Sequence, residues 1–472
     1  MESAEMRAAR RELWLSRLGL LLVVTLGARP QIARGAEPAS AESPDFSAEP
    51  RPLALETFPA RPRPLLELGD PFLAPGPLRE GFTLPTGATW SPSLLLFGYF
   101  RSAVQSFEGG SGRVSEWANR LDIYANLRLS GTERLVAALR PFDTLNNFSG
   151  YSFEPRANKG WVDALNNHPY ALFFEGNLQE MFPRLVPYGK HWLDYDFSVG
   201  RQLFNLQDGM LLNDTMDMVA IGKQNLFLPP GASQFGVTAF FAWANVDRGE
   251  GTVKDPAAKV VGLHTRTDYG PSTVDLDGAY LTSAAERGDG AFAGVSSTQR
   301  LGRFNTTLRG LMSLATRPET ELIHNGGLVF GQVSISPPPT ENLLYWNLFW
   351  GIEGYTSVAR EPDVVGAVGN TGILFSEVGI GRYGAALHSS AADSVGSAVG
   401  YQMYFQDRRS QLDLEVGGRQ ATAAAQTSAA AVGFSYQRAL WRNVIARVDS
   451  FVGGDARDQV IYGARTEMQV KF

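Results

Sequence analysis

The chain has 472 residues, no cysteine, 50 glycines and a formal net charge of −6. Without cysteine it has no disulfide framework, no thiolate metal site and no lipidated cysteine anchor. The mildly acidic balance without a basic block excludes nucleic acid as a partner, and a mean hydropathy of −0.13 is too polar for a bundle of membrane helices.

At the N-terminus, Arg7, Arg10, Arg11 and Arg17 surround the start of a short apolar run, residues 18–26, and Ala33 and Gly35 stand at the small-residue spacing of a signal peptidase site. Residues 1–35 read as an export signal, because the run is too short to span a bilayer, which takes about 20 residues. Residues 36–92 carry 12 prolines and read as a Pro-rich periplasmic arm or linker, either a plain tether or a segment that docks on a partner or plugs a pore.

From Ser93 the pattern changes to alternation. In residues 120–129, Leu121, Ile123, Ala125, Leu127 and Leu129 share one face, and Arg120, Asp122, Tyr124, Asn126 and Arg128 share the other. Side chains of a strand point alternately to its two faces, so this is a strand with one apolar and one polar side. The pattern recurs around Leu193, Tyr195, Phe197 and Val199, around Phe304, Leu308, Met312 and Leu314, and around Leu344, Trp346, Leu348 and Trp350. Tight connections (Gly131-Thr132, Gly270-Pro271, Leu301-Gly302, residues 337–340, Asp407-Arg408-Arg409, Leu440-Trp441) largely alternate with long polar ones (105–119, 142–168, 247–257, 315–326, 357–370). Short turns at one end and long loops at the other predict an all-β chain, a transmembrane antiparallel barrel over residues 93–472, with about 18 strands, an even number between roughly 16 and 20. Gly-rich residues 371–397 blur the strand ends.

The last strand fits this reading. Tyr462, Ala464, Thr466, Met468, Val470 and the terminal Phe472 share the lipid side, opposite Arg465, Glu467, Gln469 and Lys471. A final strand ending in Phe resembles the sorting signal of the outer-membrane barrel-assembly machinery, which makes that machinery and outer-membrane lipids the expected partners. Aromatic residues at strand ends (Tyr99, Phe100, Trp192, Phe227, Trp243, Tyr269, Tyr280, Trp441) are candidates for the interface girdles.

The polar face then lines a lumen. Its candidate residues are Arg120, Asp122, Arg128, Arg140, Asp194, Asp196, Gln202, Arg266, Arg303, Arg309, Glu353, Arg465 and Glu467. Charge of both signs on a pore wall favours polar or charged solutes. Loop 142–168 is rich in aromatic residues and is a candidate constriction, with Arg156, Lys159, Trp161 and Asp163; the alternatives are packing on the rim or contact between copies of the chain. His388 and Ser390 have the two-residue spacing of outer-membrane phospholipase, but nothing around them matches that enzyme. No metal-ligand helix, phosphate loop or nucleophile elbow appears, so no enzyme activity, cofactor or metal is expected.

The stretch 199–215, VGRQLFNLQDGMLLNDT, ends an alternating strand with Arg201 on the lipid side of the parity. Arg201 belongs at headgroup level or at a bulge that turns it inward. Gly200-Arg201-Gln202 followed by Asp208-Gly209 resembles a strand end and loop of barrels similar to the alginate-export family. That resemblance implies a single-chain, 18-stranded outer-membrane barrel. Those exporters pass an acidic polysaccharide through an arginine-rich lumen, whereas this lumen carries acids as well. The primary reading is a porin-like channel in the bacterial outer membrane for passive diffusion of small polar or charged solutes. The alternatives are an export conduit for a polysaccharide or other polymer, and a closed structural or adhesion barrel.

Overall fold

The computed structural model describes residues 62–70, 80–109, 112–144, 147–249, 251–362, 366–424, 426–457 and 459–472. The expected export signal and the first part of the arm lie outside them. The wall begins with β1 (Ser93–Glu108), β2 (Arg113–Arg128), β3 (Arg134–Leu139), β4 (Pro169–Asn177), β5 (Asp196–Leu206) and β6 (Leu212–Gln224). It continues with β7 (Gln234–Ala244), β8 (Lys259–Tyr269), β9 (Ser272–Thr282), β10 (Gly290–Leu301), β11 (Phe304–Ala315) and β12 (Gly326–Ile335). It ends with β13 (Leu343–Glu353), β14 (Ser394–Phe405), β15 (Ser410–Ala421), β16 (Ala429–Ala439), β17 (Val444–Asp455) and β18 (Val460–Lys471).

Each of these 18 strands pairs antiparallel with its neighbours, and β18 returns to β1, from Lys471 opposite Tyr99 to Tyr462 opposite Glu108. Closure is what a strand protein in lipid requires, because each unpaired backbone group there costs several kcal/mol. The seam has a further device. Where β18 runs out, Phe472 exchanges backbone hydrogen bonds with Gly98 (3.0 and 2.8 Å). Below it, residues Leu66–Leu68 of the arm take the free edge of β1, with Leu66 opposite Leu96 and Leu68 opposite Leu94. The arm segment thus continues the ladder that the C-terminal strand leaves unfinished.

The outward face is an apolar band. Val104, Val261, Leu263, Trp346, Trp350, Val416 and Val452 are exposed there although large and apolar, a pattern that only a lipid-facing surface rationalises. Tyr99 departs from the girdle expectation: it faces inward, against Tyr124.

Two connections fold into the barrel. The β5–β6 turn reverses through Gln207, Asp208 and Gly209, all at positive φ (56°, 51° and 79°), a region that Gly adopts freely and other residues seldom do. Its tip crosses to the far wall, where Gln207 Nε2 donates to Asp277 Oδ2 on β9 (2.6 Å) and Asp208 pairs with Arg309 on β11. The second is the connection between β13 and β14, of which residues 354–362 and 366–393 are described. It lies against the first: Val358 N–H donates to Leu211 O, Asn213 N–H to Ala359 O and Glu361 N–H to Asn213 O. Met210, Leu211, Leu212, Met216, Met218, Phe330, Phe349 and Phe375 are fully buried between these segments and the wall. One side of the lumen is therefore filled by an apolar core, and the hydrophobic effect holds both connections inside.

The expected loop 105–119 is instead mostly strand. β1 and β2 stay paired up to Glu108 and Arg113. Ser102, Ser106 and Ser115 stand outward where lipid no longer demands apolar residues, so polarity there does not mark a loop.

Candidate functional site

The lumenal wall of β17, β18, β1 and β2, with the residue after β3, carries a continuous row of charge. Arg101 makes a two-point contact with Glu467 (Nε–Oε1 2.9 Å, Nη2–Oε2 2.8 Å). Arg465 bonds both Glu467 and Asp449, and Arg447 reaches Glu467 at 3.6 Å. On the next strands, Asp122 lies between Arg120 (2.9 Å) and Arg140 (3.0 Å). Arg140 also faces Glu361 of the inward connection at 3.7 Å and stacks over the Tyr170 ring at 3.9 Å. Guanidinium forks match carboxylates in two-point contacts, which fixes these side chains as well as their charge. Guanidiniums outnumber carboxylates along the row.

The inward connection is moored to this row. Arg101 donates to Val378 O (2.9 Å) and Gly379 O (3.3 Å), Arg120 to Gly379 O (2.6 Å), and Gln105 to Ile380 O (2.9 Å). Arg382 pairs with Glu116 at 2.9 Å. Gly381, at φ 62°, leaves room for that carboxylate, since a Cβ there would stand 2.2 Å from Glu116 Oε1. Further round the wall, Glu415 on β15 accepts from Ile373 N–H (3.0 Å) and Leu374 N–H (2.8 Å), and Asn347 on β13 donates to Thr371 O (2.8 Å). The connection is thus tied to the wall along an arc from β13 through β15 to β1 and β2 and projects into the lumen.

Two polar cavities flank it. One, of about 480 Å³, is lined by Arg120, Arg140, Tyr170, Asn205, Arg360, Glu361 and Asn370 among others. The other, of about 320 Å³, is lined by Tyr383, Asp413, Gln437, Arg447, Asp449 and Arg465 among others. Ser376, Glu377 and Val378 border both. A solute in either cavity meets charged and hydrogen-bonding groups on one side and the inward connection on the other.

Of the lumenal candidates, Arg120, Asp122, Arg140, Arg465 and Glu467 come together in the row. Gln202 faces inward and donates to Ser198 Oγ (2.7 Å), Arg309 holds the β5–β6 tip, and Arg266 pairs with Asp275 (2.7 Å) on the far wall. Arg128 borders a small cavity with Glu67, Glu133 and Glu175 at the periplasmic end. Asp194 and Asp196 are also periplasmic, both accepting from Asn177 Nδ2 at 3.0 Å, and Asp194 precedes the strand. Arg303 is not on the wall; it lies in the turn between β10 and β11, because a two-residue connection takes Gly302 and Arg303 out of the pleat. Glu353 ends β13 at φ 54° and is exposed at the extracellular rim.

The constriction expected from loop 142–168 is not there. Residues Asn147–Glu154 and Gly160–Val162 form a hairpin on the upper half of β2, extending the wall. Trp161 is 76% exposed on the outer face and meets Trp117 and Tyr151 edge-to-face. Arg156 and Lys159 are exposed at the hairpin tip, and Asp163 accepts from Leu165 N–H. Loop length and aromatic content mark it, but its pairing partner, the polar upper part of β2, reads as a loop itself. The chain that narrows the lumen covers the expected loop 357–370 and most of the Gly-rich stretch 371–397, where strand ends were expected; among the described residues no strand lies between Glu353 and Ser394.

Arg201 stays on the outer face. Its Nε meets Asp217 Oδ1 at 2.8 Å, Asn245 donates to the other Asp217 oxygen at 2.5 Å, and Arg201 Nη1 donates to Pro169 O at 3.2 Å. A neighbour on β6 accommodates the charge, and β5 stays in continuous register with β6 through this point, although the ladders beyond shift at Asp217 and after Pro169. His388 and Ser390 lie in the inward connection, where Ser390 N–H donates to His388 Nδ1 (3.3 Å); neither is on a strand.

Above the membrane, Asp247 follows β7 in a small hairpin, Val246–Arg248 paired with Val253–Asp255. Burial, reinforced by Glu361 and opposed by Lys254, pushes its carboxyl up to about 6. Its backbone carbonyl accepts from Arg360 N–H (2.8 Å), which seats the inward connection.

No family model matches the chain, and no curated protein matches it. Solved structures do. The chain is similar to the outer membrane protein OpdK from Pseudomonas aeruginosa (14% identity, 80% of this chain and 98% of that one, TM-score 0.54), a protein also solved with vanillate. It is similar to OccK2 (OpdF) of the same organism (11%, 84% and 99%, TM-score 0.55). It is likewise similar to a BenF-like porin from Pseudomonas fluorescens Pf-5 (10%, 80% and 98%, TM-score 0.56). At these identities the likeness is one of fold: the chain has the 18-stranded barrel fold of outer-membrane porins, and the likeness to alginate exporters gains no support from it.

Proposed function

We propose that this chain is an outer-membrane channel through which small polar or charged solutes diffuse passively. One observation carries the reading: a closed barrel with an apolar outer band keeps polar, charge-lined cavities beside the connection that projects into its lumen. A polymer conduit needs a wide, continuous lumen, and the buried core around Met210, Leu211 and Phe375 occupies that space. The excess of guanidinium along Arg101, Arg120, Arg140, Arg447 and Arg465 favours small anions over cations. The vanillate held by OpdK makes a small carboxylate a reasonable first solute to try.

In the same reading, residues 1–35 are the export signal and residues 36–92 the periplasmic arm, of which Leu66–Leu68 finishes the seam. Phe472 is the residue the barrel-assembly machinery reads, and no enzyme activity accompanies the channel. Reconstituted into a planar bilayer, the purified chain gives discrete current steps with anion preference. Cation preference would refute the role of the arginine row, and silence would refute the channel.

A further inference from the structure

The outer face above β1 and β2 carries a built surface that conduction does not use. Trp161 meets Trp117 and Tyr151 edge-to-face there, with ring centroids 6.0 and 5.4 Å apart, and Phe153 packs on Tyr151 at 5.0 Å. Their outward direction is fixed by register: Trp117 stands opposite Val104, which is 60% exposed in the apolar band, and Tyr151 stands opposite Trp117. Below Trp117 the same parity continues into Leu121 and Ile123. The aromatic group therefore sits at the upper edge of the lipid-facing band, where amphipathic rings belong.

Directly above the rings is a concavity of about 650 Å³ bordered by Arg113, Ser115, Phe153, Glu154, Arg156 and Lys159. Arg113 is committed to Glu154 (2.8 Å), which also accepts from Ser115 Oγ (2.9 Å). Arg156 and Lys159 are exposed and have no ion-pair partner among the described residues. A hollow with two spare cations and the Phe153 ring on its lining, its one carboxylate already neutralised by Arg113 and placed at headgroup height, is complementary to an anionic headgroup whose chains lie along the band below.

We infer that this surface binds a phosphorylated, acylated glycolipid of the outer leaflet: Arg156 and Lys159 hold the phosphate, and Trp161, Phe153 and Trp117 cover the first part of the acyl chains. The inference rests on the outer face meeting lipid but not on the lumen conducting.

The test is native mass spectrometry of the delipidated full-length protein in detergent, titrated with a bis-phosphorylated acylated glucosamine disaccharide. The expected result is saturable binding, weakened about tenfold in Arg156→Glu/Lys159→Glu, a loss equivalent to about 1.4 kcal/mol, and weakened similarly when the disaccharide lacks its phosphates. Trp161→Ala is expected to weaken the acylated lipid as well. Equal binding of the dephosphorylated lipid, or an unchanged charge-reversed variant, would overturn the inference. So would displacement of the lipid by inorganic phosphate at millimolar concentration, which would indicate a site for the free anion. Folding of each variant is checked by heat-modifiable mobility, and Arg156→Gln/Lys159→Gln replaces the charge reversal if that fails. Bilayer conductance is measured in parallel. It should not change in these variants, and a parallel change would assign the residues to the pore instead.

Discussion

Asp122 shows what a single residue does in this lumen. It is almost fully buried and lies between the guanidiniums of Arg120 and Arg140. Removing a buried partner leaves charge without compensation and typically costs about 3–5 kcal/mol. Asp122→Asn is therefore expected to lower the thermal unfolding midpoint in detergent well below that of the parent; an unchanged midpoint would mean that solvent, and not the carboxylate, compensates the arginines. Arg201 makes the same argument on the outer face. Arg201→Leu strands Asp217 on the outer face, whereas Arg201→Leu/Asp217→Leu removes both charges. The double variant should be more stable than the single one in urea titration, and the reverse order would show that the pair does not act as a unit. Both residues were legible as strand positions from parity. Their partners were not, because sequence gives the face of a side chain and not which strand lies beside it.

At the scale of elements, the two inward connections decide how much lumen remains. The β5–β6 tip holds three residues at positive φ and reaches the far wall through Gln207 and Asp208. In sequence it looks like an exposed turn, since Asp-Gly suits either setting. Connection 354–393 is apolar where an exposed loop would be polar, yet it lacks the alternation that identifies a strand, so neither pattern reveals it. Its mooring is open to test. Gly381→Val places a side chain against Glu116 at a φ that β-branched residues avoid, and should raise single-channel conductance by loosening the connection; unchanged conductance would show that the mooring does not limit the passage. The Asp247 carboxyl adds a pH dependence. Its folded value, about 6, lies above the ordinary aspartate value, so its protonated form stabilises the folded seat. That stabilisation is complete below the ordinary value and is lost as pH rises through about 6. Lowering the pH from 7.5 to 5 should tighten the seat, reduce conductance and raise the unfolding temperature, and Asp247→Asn should remove this part of the response. A response unchanged in Asp247→Asn would assign it to other groups.

At the scale of the molecule, alternation, turn lengths and the C-terminal strand were enough to read a barrel of about 18 strands, and the ring has 18. That part is legible because lipid imposes one rule on every strand: apolar outward, with all backbone groups paired. The interior obeys no such rule. Side chains and inserted chain segments share it, and their arrangement depends on contacts far apart in sequence, such as Arg101 with Glu467 or Arg382 with Glu116. The wall was therefore readable, the row of charge was readable in part, and the segment that projects into the lumen was not. The arm gives an intermediate case: its prolines marked it as extended, but its pairing with Leu94–Leu96 depends on where β18 stops.

The most direct test of the channel is single-channel recording in planar bilayers on the full-length protein and on a variant in which residues 369–380 are replaced by a short Gly-Ser turn. The structure predicts small, anion-preferring steps for the parent and steps several-fold larger, with weaker preference, for the variant. Absence of conductance from both proteins, each shown to be folded by heat-modifiable mobility, would contradict it.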